Sequence, residues 1–219
     1  MKRRTVAAIG AAGLLAVFFA AALLYERREA AQVEAARARH HGPPFVRAGA
    51  PALGPEDARV VLVEFFDPGC ETCRVFAGPV KEIVESSQGR VRLVLRYAPF
   101  HRGADEIARA LEASRRQGKF WETLELVYAL QEEWADHHHP NPAALWPHFP
   151  SVGLDVEKLR EDMRTPAVDA ALRQDMADAL ALGVQRTPTF LVNGRPLERF
   201  GLRELQALVR DAVGETYGD

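Results

Sequence analysis

The chain has 219 residues, of which 47% are hydrophobic and 26% charged, and this is sufficient for one well-packed domain with a terminal extension. Its formal net charge is -2 at pH 7, so the overall charge provides no attraction for nucleic acid, and we expect no nucleic-acid partner. The sequence shows no internal repeat, which argues against a repeat architecture.

The N-terminal segment has the composition of a membrane anchor. Lys2-Arg3-Arg4 precedes an apolar run from Thr5 to Leu24, and twenty residues at helical rise span about 30 Å, the thickness of a bilayer core. We therefore predict a cytoplasmic tip and a retained transmembrane helix within residues 1–24, followed by a charged stalk or linker over residues 25–44. A cleaved signal peptide is the alternative, because the small residues Ala20 to Ala22 could provide a cleavage site.

The next part of the chain contains a strand, two cysteines and a helix. After a lead-in over residues 45–58, which we expect to be loosely structured, the β-branched and apolar stretch from Val60 to Phe66 predicts a buried strand. Cys70 and Cys73 follow, and the apolar spacing from there to about Ser87 is helical. Unpaired N–H groups and the helix dipole at a helix start stabilise a thiolate. A strand–Cys-x-x-Cys–helix unit is typical of thioredoxin-type redox sites.

The cysteine pair could instead have a structural or a metal-binding role. A disulfide that closes so short a loop would stabilise the fold little. A structural zinc site would need two further soft ligands, and the chain has no third cysteine. A Cys70/Cys73 pair that carries Cu(I), aided by His137-His138-His139, remains an alternative because thiolates suit this soft ion. For the histidines themselves, with Asp136 and His148 nearby, a solvated loop is the favoured interpretation, and we predict no metal site.

The remaining pattern completes an α/β domain. Alternating apolar residues from Val91 to Tyr97 predict a second strand, parallel to the first across a β-α-β unit. Residues 103–182 have helical spacing. Thr187 to Val192 predicts a strand that the turn Asn193-Gly194 joins to a partner over Arg195 to Phe200, before a closing amphipathic helix. Within the helical part, the expected helices lie around Ile107–Ser114, Phe120–Trp134, Asn141–Phe149, Val156–Met163 and Val168–Leu182.

This order of elements carries a family resemblance. With Glu64-Phe65-Phe66-Asp67 before the cysteines, and Thr187-Pro188-Thr189-Phe190 after a helical insertion, the chain resembles the DsbA-like disulfide oxidoreductases of the thioredoxin superfamily. The resemblance covers roughly residues 45–215. It implies an α/β, thioredoxin-like fold over residues 45–219, with a helical insertion at about residues 103–182.

The resemblance also implies roles for individual residues. Cys70 would be the nucleophile, and Cys73 would resolve the mixed disulfide. Pro188 matches a proline that is cis in the family and packs beside the disulfide. Thr187 and Thr189, on either side of it, would bind an extended substrate by backbone pairing.

Four further residues bear on the predicted site. Glu64 matches a buried acidic residue implied to relay a proton near the resolving thiol, and a carboxylate within an apolar strand needs such a reason. The dipeptide between the cysteines is Glu71-Thr72 rather than the Pro-His of the most oxidising members. The charge of Glu71 opposes a thiolate at Cys70, so these two residues should tune the potential. His101, just after the second strand, is either a substrate contact or a surface histidine.

We therefore predict a membrane-anchored thiol–disulfide oxidoreductase. It would be a single-pass protein of the cell inner membrane, with its domain in the periplasm or another extracytoplasmic space, where disulfides persist. Its partners would be protein substrates with cysteines and a membrane redox partner that recycles its disulfide, and we expect no cofactor. Disulfide formation is the expected direction. Reduction or isomerisation by the same residues, and a Cu(I) metallochaperone, are the alternatives.

Overall fold

A computed structural model describes Phe18, residues 45–136 and residues 138–218. The predicted anchor and stalk lie outside these residues, except for Phe18, so both stay predictions. In the described part of the chain, no helix combines the length and the apolar character needed to cross a membrane.

Five strands form one mixed sheet in the order β1-β3-β2-β4-β5. The two longest, β2 (Val60–Phe66) and β3 (Val91–Tyr97), have the predicted bounds and are parallel as predicted. Three antiparallel strands complete the sheet: β1 (Ala52–Leu53) beside β3, β4 (Thr189–Val192) beside β2, and β5 (Arg195–Pro196) beside β4. The central strand β2 is buried along its whole length, because apolar side chains cover both of its faces.

The described residues also form seven α-helices, five of them between β3 and β4. They are α1 (Glu71–Ser86), α2 (Ala104–Ser114), α3 (Phe120–Ala129), α4 (Gln131–Trp134), α5 (Val156–Asp162), α6 (Pro166–Ala181) and α7 (Leu202–Tyr217). Two 3₁₀ helices, Arg115–Gln117 and Pro142–Val152, lie in the same insertion. The thioredoxin-like α/β fold with a helical insertion is therefore present.

Alternate side chains of β2 enter two separate clusters. Leu62 and Phe66 belong to the larger one, with residues of α1, α7 and the insertion. Val61, Val63 and Phe65 belong to the smaller one, with residues of α6. The period-two alternation of a strand thus gives β2 a core on each face. At its C-terminal end, which leads into the loop before α1, Phe66 packs in the larger cluster and Phe65 in the smaller one.

Three predicted elements differ from the structure. The helix expected over Phe120–Trp134 divides into α3 and α4 at Leu130, whose backbone (φ -100°, ψ 13°) leaves the helical region. The stretch expected as a helix from Asn141 is a 3₁₀ helix, and its internal prolines cannot donate the N–H bonds of an α-helix. Strand β5 has two residues rather than six and ends at Pro196, which likewise lacks an N–H for the ladder.

The prediction of a loosely structured lead-in is wrong. Phe45 is 1% exposed, and the Arg47 guanidinium is bound to the Asp175 carboxylate at 2.7 Å. Arg96 of β3 contacts Asp175 at 2.5 Å and Asp178 at 2.6 Å, so Arg47, Arg96, Asp175 and Asp178 form a buried ionic cluster. Because buried charges need partners, this cluster ties the lead-in to β3 and α6.

Candidate active site

The two cysteines lie at the start of α1 but in different surroundings. Cys70 is the N-cap residue, and its Sγ accepts a hydrogen bond from the backbone N–H of Cys73 at 3.4 Å. In its protonated form, the Cys70 thiol donates a hydrogen bond to the carbonyl oxygen of Thr187, 3.2 Å away. Both thiols are free, Cys70 is 5% exposed and Cys73 is fully buried. Of the two sulfurs, that of Cys70 is therefore the one a substrate can reach.

The same surroundings separate the two pKa values. The pKa of Cys70 is lowered to about 6, and a hydrogen bond from the Cys73 thiol is the largest cause. Burial of Cys70 opposes this lowering, whereas a hydrogen bond from the Thr187 side chain adds to it. Burial raises the pKa of Cys73, with further contributions from its hydrogen bond to Cys70 and from the charge of Glu64. At neutral pH, Cys70 is the thiolate and Cys73 keeps its proton.

The strand β4 begins beside Cys70. The Thr187–Pro188 peptide bond is cis, as the resemblance implied. The hydroxyl of Thr189 donates to the carbonyl oxygen of Arg186 at 2.7 Å and so fixes the loop that precedes the strand. The bond between Cys70 and Thr187 joins this loop to the first turn of α1.

Two cavities flank this loop. The first, of about 410 Å³, brings together the predicted residues Cys70, Glu71, Thr72 and Thr187, and its other lining residues are Phe100, His101, Gln185 and Arg186. The second, of about 190 Å³, contains Pro188 and Thr189, together with Arg186, Phe190, Leu197, Glu198 and Phe200. Arg186 lines both cavities. We refer to the first one as the cysteine cleft.

Glu64 lies in the middle of β2, opposite Leu95 of β3 and Phe190 of β4, and is 3% exposed. Burial is the main cause that raises its pKa from 4.5 to about 8, and the charge of Cys70 contributes. Its carboxyl group is therefore mostly protonated at neutral pH. When Glu64 is ionised, its charge raises the pKa of the Cys73 thiol, so the protonation states of the two buried groups are linked.

Sequence reasoning missed the partner of His101. Asp67, which follows β2, is fully buried, and its Oδ2 accepts hydrogen bonds from the backbone N–H of Phe100 (2.6 Å), from that of His101 (2.8 Å) and from Nδ1 of His101 (2.7 Å). Its Oδ1 accepts the N–H of Gly69 at 2.7 Å. In the sequence, Asp67 appears only as the residue that ends a strand, so nothing in the pattern connects it with a histidine in another loop.

Sequence reasoning also missed Gln131. Its side-chain amide donates to the carbonyl oxygens of Pro68 at 2.8 Å and Cys70 at 3.1 Å, and the residue is 2% exposed. The insertion therefore holds the cysteine loop directly. A glutamine at the start of a short helix has no distinctive sequence signal.

The histidine-rich loop has a local structural role in its described part. Asp136 accepts the backbone N–H groups of His138 at 2.9 Å and His139 at 2.7 Å, while His137 lies outside the described residues. Among the residues that the structure describes, no three histidine, cysteine or acidic side chains are grouped to hold a metal ion.

Comparison with known proteins identifies the family. A family model described as thioredoxin matches residues 47–211. The chain belongs to the thioredoxin family. A thioredoxin-like oxidoreductase from Silicibacter pomeroyi is 34% identical to it, with a TM-score of 0.65 over 78% of this chain and 93% of that one. The predicted membership of the thioredoxin superfamily and the predicted class of enzyme, an oxidoreductase, are confirmed.

More distant solved structures share the fold of this thioredoxin-family chain. BdbD from Bacillus subtilis is 24% identical, with a TM-score of 0.66 over 76% of this chain and 94% of that one. The alpha-DsbA1 of Wolbachia pipientis is 15% identical, with a TM-score of 0.67 over 78% of this chain and 94% of that one. At these identities, the similarity establishes the fold alone.

The curated relatives are much longer proteins. A Na(+)/H(+) antiporter NhaA from Herminiimonas arsenicoxydans is 38% identical over 144 residues, which are 66% of this chain and 22% of the antiporter. The NhaA 1 antiporter of Mycobacterium sp. (strain KMS) is 33% identical over 149 residues, 65% of this chain and 23% of that protein. The chain thus spans less than a quarter of the length of these relatives.

Proposed function

We propose that this thioredoxin-family protein transfers its disulfide to protein thiols, with Cys70 as the exchanging sulfur and Cys73 as the resolving one. The asymmetry of the two thiols supports this division of roles. Cys70 lines the cleft with a pKa lowered to about 6, whereas Cys73 is fully buried with a raised pKa. The lower-pKa thiolate is both the better leaving group and the reachable one.

The exchange takes place in two displacements. A substrate thiolate attacks Sγ of Cys70 in the disulfide form, the Cys70–Cys73 bond breaks, and its electron pair goes to the Cys73 sulfur, which takes a proton from Glu64. A second substrate thiolate then attacks the substrate sulfur of the mixed disulfide and expels Cys70 as a thiolate. The substrate gains one disulfide, and the cysteine pair gains two electrons.

The pKa of Cys70 also bears on the direction. In this superfamily a pKa of about 3.5 accompanies a potential of about -120 mV, and one of about 7 accompanies about -270 mV. The value of about 6 for Cys70 lies between them, so we expect a moderate oxidant. Structural disulfides typically have potentials below about -300 mV, so a couple in this range can still donate its disulfide to such thiols.

Thr187, Pro188 and Thr189 are the proposed substrate-binding residues. Thr187 lines the cysteine cleft, and Pro188 and Thr189 line the adjoining cavity. A substrate in extended conformation could occupy both cavities while its cysteine meets Cys70. Backbone pairing would make this binding tolerant of sequence, as an enzyme for many protein substrates requires.

We also propose that the domain acts outside the cytoplasm, attached to the inner membrane by residues 1–24 and recycled by a membrane redox partner. The apolar run from Thr5 to Leu24 supports this location, as does the disulfide chemistry. We do not propose the Na(+)/H(+) exchange in the names of the curated relatives for this chain, because the chain matches only 22% of the first of those proteins.

The Cu(I) alternative is less well supported. A two-thiolate copper site needs both sulfurs deprotonated and within reach of the ion. Cys73 is fully buried, and burial raises its pKa, so the second ligand is unfavourable.

The proposed activity can be tested with the purified disulfide form of the full chain. Mixed with a reduced, unfolded protein that contains one cysteine pair, it should introduce one disulfide per chain consumed. Cys70→Ala is the matched inactive control. Transfer that is undetectable with the wild-type chain would contradict the proposal, whereas a potential near -270 mV against glutathione would favour a reductase with the same residues.

A further inference from the structure

His101 and Asp67 form a hydrogen-bonded pair at the edge of the cysteine cleft. We propose that His101 is a catalytic acid–base residue for the substrate: it takes the proton of the incoming substrate thiol while Asp67 positions its ring. This inference rests on the proposed exchange at Cys70 and concerns the step that precedes it. The dipeptide between the cysteines, Glu71-Thr72, contains no histidine.

The hydrogen bonds of Asp67 determine which nitrogen of His101 is basic. Its Oδ2 already accepts two backbone N–H groups, so it acts as an acceptor toward Nδ1 of His101, which lies 2.7 Å away. Nδ1 therefore carries the hydrogen, and the lone pair of the neutral ring is on Nε2. A base whose ring is oriented by a buried carboxylate is the arrangement that activates nucleophiles in many enzymes.

The position of His101 is suited to a substrate thiol. The residue lines the same cleft as Cys70, and its side chain is 38% exposed, so a bound substrate can reach it. Gly69 allows this closeness. A Cβ added at that position would lie 3.1 Å from Cβ of His101, which is tighter than ordinary packing, so the missing side chain leaves room for the histidine loop beside the cysteines.

The other charged groups around the cleft do not replace His101 as a base. Arg186 lines the cleft from the loop before β4 and remains protonated in proteins. Glu71 lines it from the first turn of α1, but a carboxylate is a weaker base toward a thiol than an imidazole is, and Cys70 is itself the reacting sulfur. The carboxylate of Asp67 is fully buried beneath the ring. An imidazolium formed at His101 would therefore lie against the Asp67 carboxylate.

His101 should accelerate the reaction only at a pH where the substrate thiol is still protonated. The substrate thiol gives its proton to Nε2 and its sulfur attacks Cys70, and the imidazolium then releases the proton to water before the second thiol arrives. An unperturbed cysteine has a pKa of about 8.5, so at pH 6.5 only about 1% of it is thiolate. A positioned base can thus accelerate the attack by up to about a hundredfold at that pH, and by little once the thiol ionises unaided.

The test compares two thiols with the disulfide form of the full chain. One is a cysteine peptide, and the other is an aromatic thiol that is fully ionised at pH 6.5. His101→Asn keeps an N–H donor where Nδ1 lies but removes Nε2, and His101→Gln serves as a second variant. His148→Gln, at an exposed residue of the second 3₁₀ helix, is the matched control. Thermal melting of each variant verifies its fold.

At pH 6.5 both His101 variants should reduce the rate with the peptide about tenfold to a hundredfold, and this loss should vanish above pH 9. The rate with the aromatic thiolate should stay within about twofold, and His148→Gln should resemble the wild type. Equal losses with both thiols, a loss confined to the aromatic thiolate, or no loss would overturn the proposal. Failure of the wild type to react even with the aromatic thiolate would instead reject the exchange at Cys70.

Discussion

The Cys70 sulfur lies 3.2 Å from the carbonyl oxygen of Thr187, a residue 117 positions later in the chain. This contact joins the start of α1 to the loop before β4, so the redox pair and the proposed substrate loop form one site. The Thr187 side chain also stabilises the thiolate by a hydrogen bond. The reactivity of Cys70 therefore depends on a part of the chain that is distant in sequence.

Replacing Thr187 by Val tests this dependence, because the two side chains have nearly the same shape. Loss of the hydroxyl should raise the pKa of Cys70 by about 1, because a hydrogen bond to a charged group contributes at least about 1.5 kcal/mol. Thiolate absorbance measured against pH gives the value directly. Thr189→Val is a matched control, since the hydroxyl of Thr189 bonds to the carbonyl oxygen of Arg186 instead. An unchanged pKa of Cys70 in Thr187→Val would contradict the hydrogen bond from the Thr187 hydroxyl.

Glu64→Gln should change how stability depends on pH. The pKa of Glu64 is raised from 4.5 to about 8, so between these values the unfolded chain is ionised at this residue while the folded chain keeps the proton. This group stabilises the fold fully below its unfolded pKa, and the contribution falls by about 1.4 kcal/mol per pH unit up to about pH 8. The contribution of Cys70 to stability rises with pH above about pH 6, because its pKa is lowered in the folded state. Both proteins contain Cys70, so this contribution cancels when they are compared.

The free energy of unfolding of Glu64→Gln should therefore rise relative to that of the wild type by about 1.4 kcal/mol for each pH unit from pH 5 to 8. Denaturant unfolding of the reduced proteins measures it. Glu125→Gln, at an exposed residue of α3, should show no such trend. A difference that is independent of pH would mean that the carboxyl of Glu64 has an ordinary pKa in the folded protein.

The sequence predicted the elements whose signals are local. The strands Val60–Phe66 and Val91–Tyr97 have their predicted bounds, because a buried strand needs a continuous or alternating apolar run that can be read directly. The pairing of Asp67 with His101 could not be predicted, since it depends on how two loops meet in space. The roles of the cysteines and of Pro188 followed from a family resemblance rather than from the pattern alone.

The structure of the lead-in, residues 45–58, could not be predicted from local sequence either. Phe45 and Arg47 lie in a stretch rich in glycine and proline, so local composition indicates a loose segment. Arg47 is ordered by Asp175 of α6, 128 positions away, and no local signal reveals a buried ion pair. Long-range charge pairing therefore overrode the local preference.

Arg96→Met should destabilise the fold strongly. The variant leaves Asp175 and Asp178 without one of their buried cationic partners, and breaking a buried ion pair from one side costs about 3–5 kcal/mol. Lys81→Met is the control, because the Lys81–Glu125 pair is exposed and such pairs contribute about 0–1 kcal/mol. Urea unfolding of both variants provides the comparison. Equal small losses would show that the buried cluster does not stabilise the fold.

The proposed anchor predicts how the full-length protein fractionates. Because the run from Thr5 to Leu24 is long enough to span a bilayer, the protein should stay with membranes after washing with alkaline carbonate. Protease added from the extracytoplasmic side should digest the domain. Recovery of a soluble form that begins between residues 20 and 30 would instead identify the segment as a cleaved signal peptide.

The central claim is the division of labour between Cys70 and Cys73, and trapping of mixed disulfides tests it most directly. Each cysteine is replaced by Ala in the full-length protein, and cell extracts are separated on a non-reducing gel. Cys73→Ala should accumulate adducts with substrate proteins that a reductant releases, because a substrate bound to Cys70 can then leave only by attack of a second substrate thiol and not by attack of Cys73. Cys70→Ala should form none. The pKa of Cys70 should also rise in Cys73→Ala, which lacks the thiol that most lowers it. Adducts absent from both variants, or formed through Cys73 alone, would contradict the assignment.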